Sequence, residues 1–402
     1  MVRKIDLNNF QVARSETARD INRRILLNLI RKHQPVSRAD LSRHSGLQRS
    51  TVSSIAEQLL AERWVTEGAM GHLPRGRKPT FLHLNRDRVG IIAIDLRPLK
   101  TTIALAGLDN RFFAQESIPT GKDPVKFLKQ LGGRLCDLMK AHPHVCYEGI
   151  GVALPGRVDL STKRLFFAPN LGWRDLDVKT PLEQATGLAV ELENDANTCA
   201  LAELWSGQHA DGVPNMLSVA VTEGIGVGMI LNGQLVRGST GVAGEFGHIA
   251  LHEDGPLCNC GNHGCWEVMA SNSAASRYYG RTGSARNHAV NGSGILPEFQ
   301  DILQLAKQGD VRAGEALDQM AHHLGAGIAI LVTGLAPEMI IVVGEVTRAW
   351  KRVGPIIEKI VKQRSVTWAT TRIIAADPAE QTRLRGTVAL VLQKHFGAPS
   401  IA

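Results

Sequence analysis

The chain has 402 residues, 44% of them hydrophobic and 21% charged, enough for two or three domains with a large buried core and unlike a disordered protein. Its start, Met1-Val-Arg-Lys-Ile-Asp-Leu, lacks the apolar run of a signal peptide, and no stretch of about 18 apolar residues occurs, so a cytoplasmic protein with no membrane insertion is expected. The net charge of +8 is lopsided: residues 1–90 hold 17 Lys and Arg against 8 Asp and Glu, while the rest hold 29 against 30, which implies a polyanion-binding arm on a neutral body.

In chain order, Asp20 to His33 reads as a helix with Ile21, Ile25, Leu26, Leu29 and Ile30 on one face, stopped by Gln34-Pro35. Ser37 is suited to cap a second helix containing Ala39 and Leu41, and Ser45-Gly46-Leu47 supplies the turn. A third helix, from about Gln48 to Glu62, buries Val52, Ile55, Leu59 and Leu60. That leaves Arg49, Ser50, Thr51, Ser53 and Ser54 on or near its outer face. Two short strands follow, around Trp64–Glu67 and Thr80–Leu84.

Between those strands lies Leu73-Pro-Arg-Gly-Arg-Lys-Pro79, where Arg75, Arg77 and Lys78 surround a glycine. Such a cationic tip suits a minor groove. Alone it reads equally as a solubilising loop. After a helix-turn-helix it reads as a wing. Residues 15–85 are therefore expected to form a winged helix-turn-helix that binds double-stranded DNA. Arg49 is its candidate base-edge or phosphate contact, and Ser50, Thr51 and Ser53 are candidate hydroxyl donors.

From residue 86 to 402, β-like apolar runs alternate with helical stretches, the pattern of an α/β fold; examples are Val89–Leu96, Gly149–Leu154, Leu217–Val221 and Met339–Val343. Ile91-Ile-Ala-Ile-Asp95 leading into Thr101-Thr-Ile-Ala-Leu-Ala106 is a strand, a turn and a strand, as an actin-like ATPase fold begins. Two lobes around a cleft are expected. Cys136, Cys146 and Cys199 stand in apolar contexts and read as small buried hydrophobes. Cys258, Cys260 and Cys265 cluster in a glycine-rich loop, with His248 or His263 available as a fourth ligand. Three thiolates and an imidazole satisfy tetrahedral Zn²⁺ with no open position, so one structural zinc per chain is expected.

Four segments belong together: Val152-Ala-Leu-Pro-Gly156, Glu193-Asn-Asp-Ala-Asn197, Gly241-Val-Ala-Gly-Glu-Phe-Gly-His248 and Cys258-Asn-Cys-Gly-Asn-His-Gly-Cys-Trp-Glu267. On these the chain resembles the ROK family (repressors, open reading frames, kinases), in its repressor branch, over nearly its whole length. The resemblance implies a sugar-kinase-like sensor domain and favours His248 as the fourth metal ligand, with the zinc loop at 248–265. It also implies a sugar site of Asn194, Asp195, Glu245, His248 and Glu267, with Gly156 and Asn170 beside it. In the kinases the aspartate matching Asp195 is the general base. From the residues alone, Asn194-Asp195 reads equally as a helix cap, and Arg157 as either a surface arginine or a reader of an anionic group.

The nucleotide loops depart from the kinase pattern. Asp95-Leu-Arg-Pro-Leu-Lys-Thr101 lacks the glycines that let backbone amides approach phosphates, and its proline removes a donor. Val221-Thr-Glu-Gly-Ile-Gly-Val-Gly228 carries an acidic Glu223, and Val343-Gly-Glu-Val346 lacks consecutive glycines. The expectation is a DNA-binding regulator, a repressor of carbohydrate-utilisation genes that binds a sugar or sugar phosphate as a homodimer or homotetramer, with no phosphoryl transfer. The alternatives are an ATP-dependent sugar kinase with a DNA-binding arm, or a repressor controlled by a protein partner.

Overall fold

A computed structural model describes residues 15–70, 80–86, 89–159, 162–206, 213–281, 296–366 and 370–397. The chain opens with α1 (Ser15–His33), β1 (Val36–Ser37), α2 (Arg38–Ser45) and α3 (Arg49–Ala61), then β2 (Val65–Met70) and β3 (Thr80–Leu84). The three strands pair antiparallel in the order β1-β3-β2. Ser37 caps α2 reciprocally: its Oγ accepts from the Asp40 amide, and the Asp40 carboxylate accepts from the Ser37 amide, each at 3.2 Å. Gly46, in the left-handed conformation, closes α2 and turns the chain into α3.

The first helix differs from its expected face. Leu26, Leu27 and Ile30 are fully buried, whereas Ile25 is 42% exposed. The reason is that α1 is covered from two sides, by α2, α3 and β3 and by the last helix of the chain, so an adjacent Leu26-Leu27 pair is buried in place of one narrow stripe. Helix α1 also begins five residues before Asp20, Glu62 lies just past α3 and pairs with Arg23, and Leu60 is only half-buried. The cationic tip with Arg75, Arg77 and Lys78 lies outside the described residues.

Two five-stranded sheets follow, and they share one connectivity. The first contains β4 (Val89–Leu96), β5 (Lys100–Gly107), β6 (Phe112–Pro119), β7 (Cys146–Leu154) and β11 (Val190–Asn194), in the order β6-β5-β4-β7-β11. Helices α4 (Pro124–Ala141) and α5 (Lys179–Thr186) serve its crossovers. A small sheet of β8 (Arg157–Val158), β9 (Leu165–Ala168) and β10 (Trp173–Leu176) is inserted after β7. After α6 (Asp195–Ser206), the second contains β12 (Met216–Val221), β13 (Ile225–Leu231), β14 (Gln234–Leu235), β15 (Met339–Val343) and β16 (Arg372–Ala375), in the order β14-β13-β12-β15-β16. In each sheet an antiparallel three-strand meander is extended by two parallel strands. This is the two-lobed, actin-like arrangement.

Both faces of the sheets are covered, as parallel strands require. All eight residues of β4 are buried. Ile92, Ile94 and Leu96 join the core under α4 and α5, while Ile91 and Ala93 join the core that also holds Leu26, Ile30, Val52, Leu59 and Trp64. The outer face of the second sheet packs on α7 (Trp266–Ala270), α8 (Asn272–Arg281), α9 (Phe299–Lys307), α10 (Val311–Leu335) and α11 (Trp350–Arg364). Among the described residues, no helix is long and apolar enough to cross a membrane.

The last helix, α12 (Thr382–Phe396), lies against β4, β7 and α6, while α6 in turn lies against β12 and β13, so these two helices fill the junction between the lobes. They can approach because Gly386 has no side chain: a Cβ there would stand 1.8 Å from the Thr198 carbonyl oxygen of α6. Replacement of Gly386 by Ala is therefore expected to destabilise the fold by about 1–3 kcal/mol through overpacking. Urea denaturation checks this, and an unchanged midpoint would mean that α6 and α12 separate freely.

Candidate functional site

The carboxyl ends of the parallel strands β4, β7 and β11 converge on one cleft, the place where open α/β sheets bind ligands. Asn194 ends β11 and Asp195 begins α6. The Asn194 Oδ1 accepts from the amides of Ala196 at 2.9 Å and Asn197 at 3.3 Å, so this side chain is a helix cap. Its Nδ2 donates to the Gly156 carbonyl at 2.8 Å, which ties the end of β7 to the start of α6. Of the two readings open for Asn194, the cap is the one its contacts express.

Asp195 faces an arginine instead. The Arg383 Nη2 stands 2.9 Å from Asp195 Oδ2, and its Nη1 stands 3.6 Å from Asp95 Oδ1. The other oxygen of Asp95 accepts from Arg97 Nε at 2.7 Å. Burial raises the Asp195 pKa and the Arg383 charge opposes the rise. One turn along α6, burial pushes the Cys199 thiol up to about 12, which leaves it neutral. A second buried acid, Glu193, accepts from Arg237 Nε at 2.6 Å and Asn197 Nδ2 at 2.9 Å, joining the floor of one lobe to the other.

The far wall carries Glu245 and His248 on one short turn and Glu267 on α7. Arg157, next to Gly156, reaches across with its Nε 3.4 Å from Glu245 Oε1. The other Glu245 oxygen lies 3.6 Å from His248 Nε2. Glu267 accepts from the Ile225 amide at 3.0 Å, which pins the glycine-rich turn between β12 and β13. Burial raises its pKa. Bonds and ion pairs thus link Asn194 to Gly156 and Glu245 to His248 and to Arg157 beside Gly156, and Glu267 lies within the fields of Asp195, Glu245 and His248. Asn170 stands exposed on the short turn Pro169–Leu171.

His248 faces two ways. Its Nδ1 lies 3.6 Å from Cys258 Sγ, and Cys260 Sγ lies 3.6 Å from Cys265 Sγ. The four donor atoms lie within 4.8 Å of one another. A tetrahedron of ligands about 2.3 Å from an ion has edges of about 3.8 Å, so the cluster fits a four-coordinate soft cation. His263 is exposed, with Nδ1 3.0 Å from the Gly255 carbonyl oxygen, and stands outside the cluster. Gly264 makes the loop possible. It has a φ of 60°, and a Cβ would meet the His252 carbonyl oxygen at 1.7 Å.

The remaining cysteines correct the sequence reading in part. Cys199 is buried, but Cys146 is exposed beside Arg63 and Cys136 is half-buried, its thiol 3.1 Å from the Ala185 carbonyl. Cys146 is the first residue of β7, and Cys136 lies beside the buried face of α4 formed by Phe127, Leu128, Leu131 and Leu135, so an apolar neighbourhood in sequence does not translate into burial.

At the opposite end of the molecule, Arg49, Ser50 and Ser54 of α3 are exposed, with Thr51 and Ser53 half-buried. Gln48 at its N-cap makes no side-chain cap, so the first-turn amides of α3 carry no side-chain acceptor from that residue.

Helices α6 and α12 connect the two ends. Both begin at the Asp195–Arg383 pair, and both end against α1: Trp205 and Phe396 stack edge to face at 4.9 Å, and the Arg31 guanidinium lies 4.1 Å over the Trp205 ring. Arg24 and Asn28 donate to the Gly397 and Phe396 carbonyls at 3.2 and 2.8 Å, and Trp64 packs on His395 and Phe396.

Sequence reasoning missed Arg383, Arg97 and Arg237. For Arg383 one signal was present: it shares a helical face with Thr387 and Leu390, a basic residue within an apolar stripe.

A sequence profile of the ROK family matches residues 91–394. The xylose repressor of Bacillus subtilis (strain 168) is 32% identical over 339 residues, covering 82% of this chain and 83% of the repressor. A crystal structure of a ROK family transcriptional regulator, a homolog of the E. coli MLC protein, matches with a TM-score of 0.82 and 27% identity, over 94% of this chain and 97% of its own. A ROK family glucokinase from Streptomyces griseus, in complex with glucose and AMPPNP, matches with a TM-score of 0.67 and 30% identity; it covers 76% of this chain and 99% of its own.

Proposed function

The chain belongs to the ROK family, and we propose that it is a sugar-responsive transcriptional repressor in which residues 15–85 bind an operator and the cleft of residues 86–402 binds the effector. One observation carries the reading: α6 and α12 each run from the acids of the cleft to the core of the helix-turn-helix. The matching regulator structure covers 94% of the chain, whereas the glucokinase likeness leaves about a quarter of it unmatched.

In this reading α3 enters the major groove, with Arg49 on a base edge or phosphate and Ser50, Thr51 and Ser53 as hydroxyl donors. Arg75, Arg77 and Lys78 follow the minor groove. Two copies read paired half-sites. Asp195, Glu245, His248 and Glu267 hydrogen-bond sugar hydroxyls, with Asn194, Gly156 and Asn170 shaping the wall. The glycine-poor first loop and Glu223 make poor phosphate cradles, so Asp195 serves as an acceptor without proton transfer. A protein that acts on DNA in this way works in the cytoplasm.

Effector binding alters operator affinity only if the sugar prefers one arrangement of α6 and α12, and DNA must then change sugar affinity by the same factor. Gel-shift titration against the chain's own upstream region, over a panel of sugars and sugar phosphates, should find one that shifts the operator Kd. If none does, the sensor reading fails. Arg49→Ala should weaken operator binding tenfold or more, about 1–3 kcal/mol for a lost base contact. Glu245→Gln should leave sugar-free operator affinity unchanged and weaken the sugar response. An ADP-release assay should stay at background; turnover at kinase rates would favour an enzyme.

We assign zinc to His248, Cys258, Cys260 and Cys265. When bound, it supplies a closed structural cross-link with no open position. His248 then offers Nδ1 to the metal and keeps Nε2 toward Glu245, so the metal orients the sugar wall. Metal analysis should find about one zinc per chain, lost in Cys258→Ala together with the sugar-induced shift in Tm. A zinc-free variant that still binds sugar would separate the two sites.

A further inference from the structure

Arg383 is placed where neither helix stability nor solvation favours it. It stands in the first turn of α12, where the helix dipole disfavours a cation, and it is 8% exposed. What it gains is two carboxylates. Its guanidinium bonds Asp195 at 2.9 Å and lies 3.6 Å from the Asp95 Oδ1, a buried oxygen with no hydrogen bond of its own. With Arg97 on the other Asp95 oxygen, two cations balance two acids. Glu223 adds to the negative field that Arg383 meets, and Cys199 is neutral.

Two carboxylates facing one cleft form a donor set of the kind a hard divalent cation takes, and phosphoryl transfer needs that cation beside the nucleotide. A planar guanidinium offers a forked donor array that matches carboxylate oxygens, and it cannot be deprotonated. We propose that Arg383 is a built-in counter-cation: it holds the place between Asp95 and Asp195 that a divalent metal would otherwise take. The cleft then needs no metal or nucleotide to be electrically complete. This deepens the receptor reading and rests on it for the nature of the ligand. It also locates the block to phosphoryl transfer in one residue of α12, apart from the loops.

Full-length protein is tested by thermal shift with MgCl₂, against NaCl of equal ionic strength. The wild type should be indifferent to Mg²⁺. Arg383→Gln should melt lower in metal-free buffer and regain stability as Mg²⁺ is raised, in the logarithmic manner of a bound ligand. Asp195→Asn combined with Arg383→Gln should lose that gain, and Arg383→Lys, which keeps the charge, should remain indifferent. If Arg383→Gln does not fold without metal, dialysis into MgCl₂ should restore its circular dichroism. A variant that Mg²⁺ neither stabilises nor restores, or a wild type stabilised as much as the variant, overturns the proposal. Sugar-induced shifts in the same wild-type protein report separately on the receptor reading, so the two fail independently.

Discussion

Two acids, Asp95 and Asp195, end up at the floor of one cleft, and the fold must neutralise them. At an effective dielectric near 20, two like charges about 4 Å apart repel by about 4 kcal/mol, a large share of the stability of a typical domain. Arg383 answers this from a helix that has to be held in register to deliver it. That register is set by Gly386 against Thr198 and by the apolar run Val388, Leu390, Val391 and Leu392. The same register carries Phe396 into the core shared with α1 and Trp64. One helix thus touches both the charged floor of the cleft and the core of the N-terminal helical module.

Features built from neighbours in sequence were legible in it. The Ser37 cap, the Gly46 turn and the face Val52–Ile55–Leu59 are local devices, and the structure has them where the spacing put them. The three cysteines of the metal loop were legible for the same reason. The choice of His248 over His263 was not, since it depends on which imidazole the loop folds inward, and the family likeness supplied it. Ile25 and Leu27 were misassigned because periodicity assumes one buried face, and α1 has two covers.

What the sequence hid depends on contacts between distant segments. The matched connectivity of the two sheets lies in strand order and register, which no residue repeat advertises. Arg383 meets Asp95 and Asp195 only through contacts between segments far apart in the chain. Asn194 shows the limit from the other side. Its side chain is spent on capping α6 and holding Gly156. The cap fixes the start of α6 at Asp195, and an Asn-Asp pair in a string of letters cannot distinguish that from direct contact with a ligand.

The magnitudes suit a switch. Coupling between an effector and DNA is typically about 1–3 kcal/mol. One hydrogen bond to a charged group contributes about 1.5–3 kcal/mol net, so rearranging the Asp195–Arg383 contact alone is on the scale required. Large motions are unnecessary: α6 and α12 are 12 and 15 residues long, about 18 and 22 Å, and end on the same aromatic and cationic contacts around Arg31. In the proposed reading, a sugar hydroxyl that took an oxygen of Asp195 would compete with Arg383 for it. Any resulting shift of one helix along the other is felt where Trp205 meets Phe396. Close packing at Gly386 would make that response stepwise, because a helix seated on a backbone carbonyl has few intermediate positions.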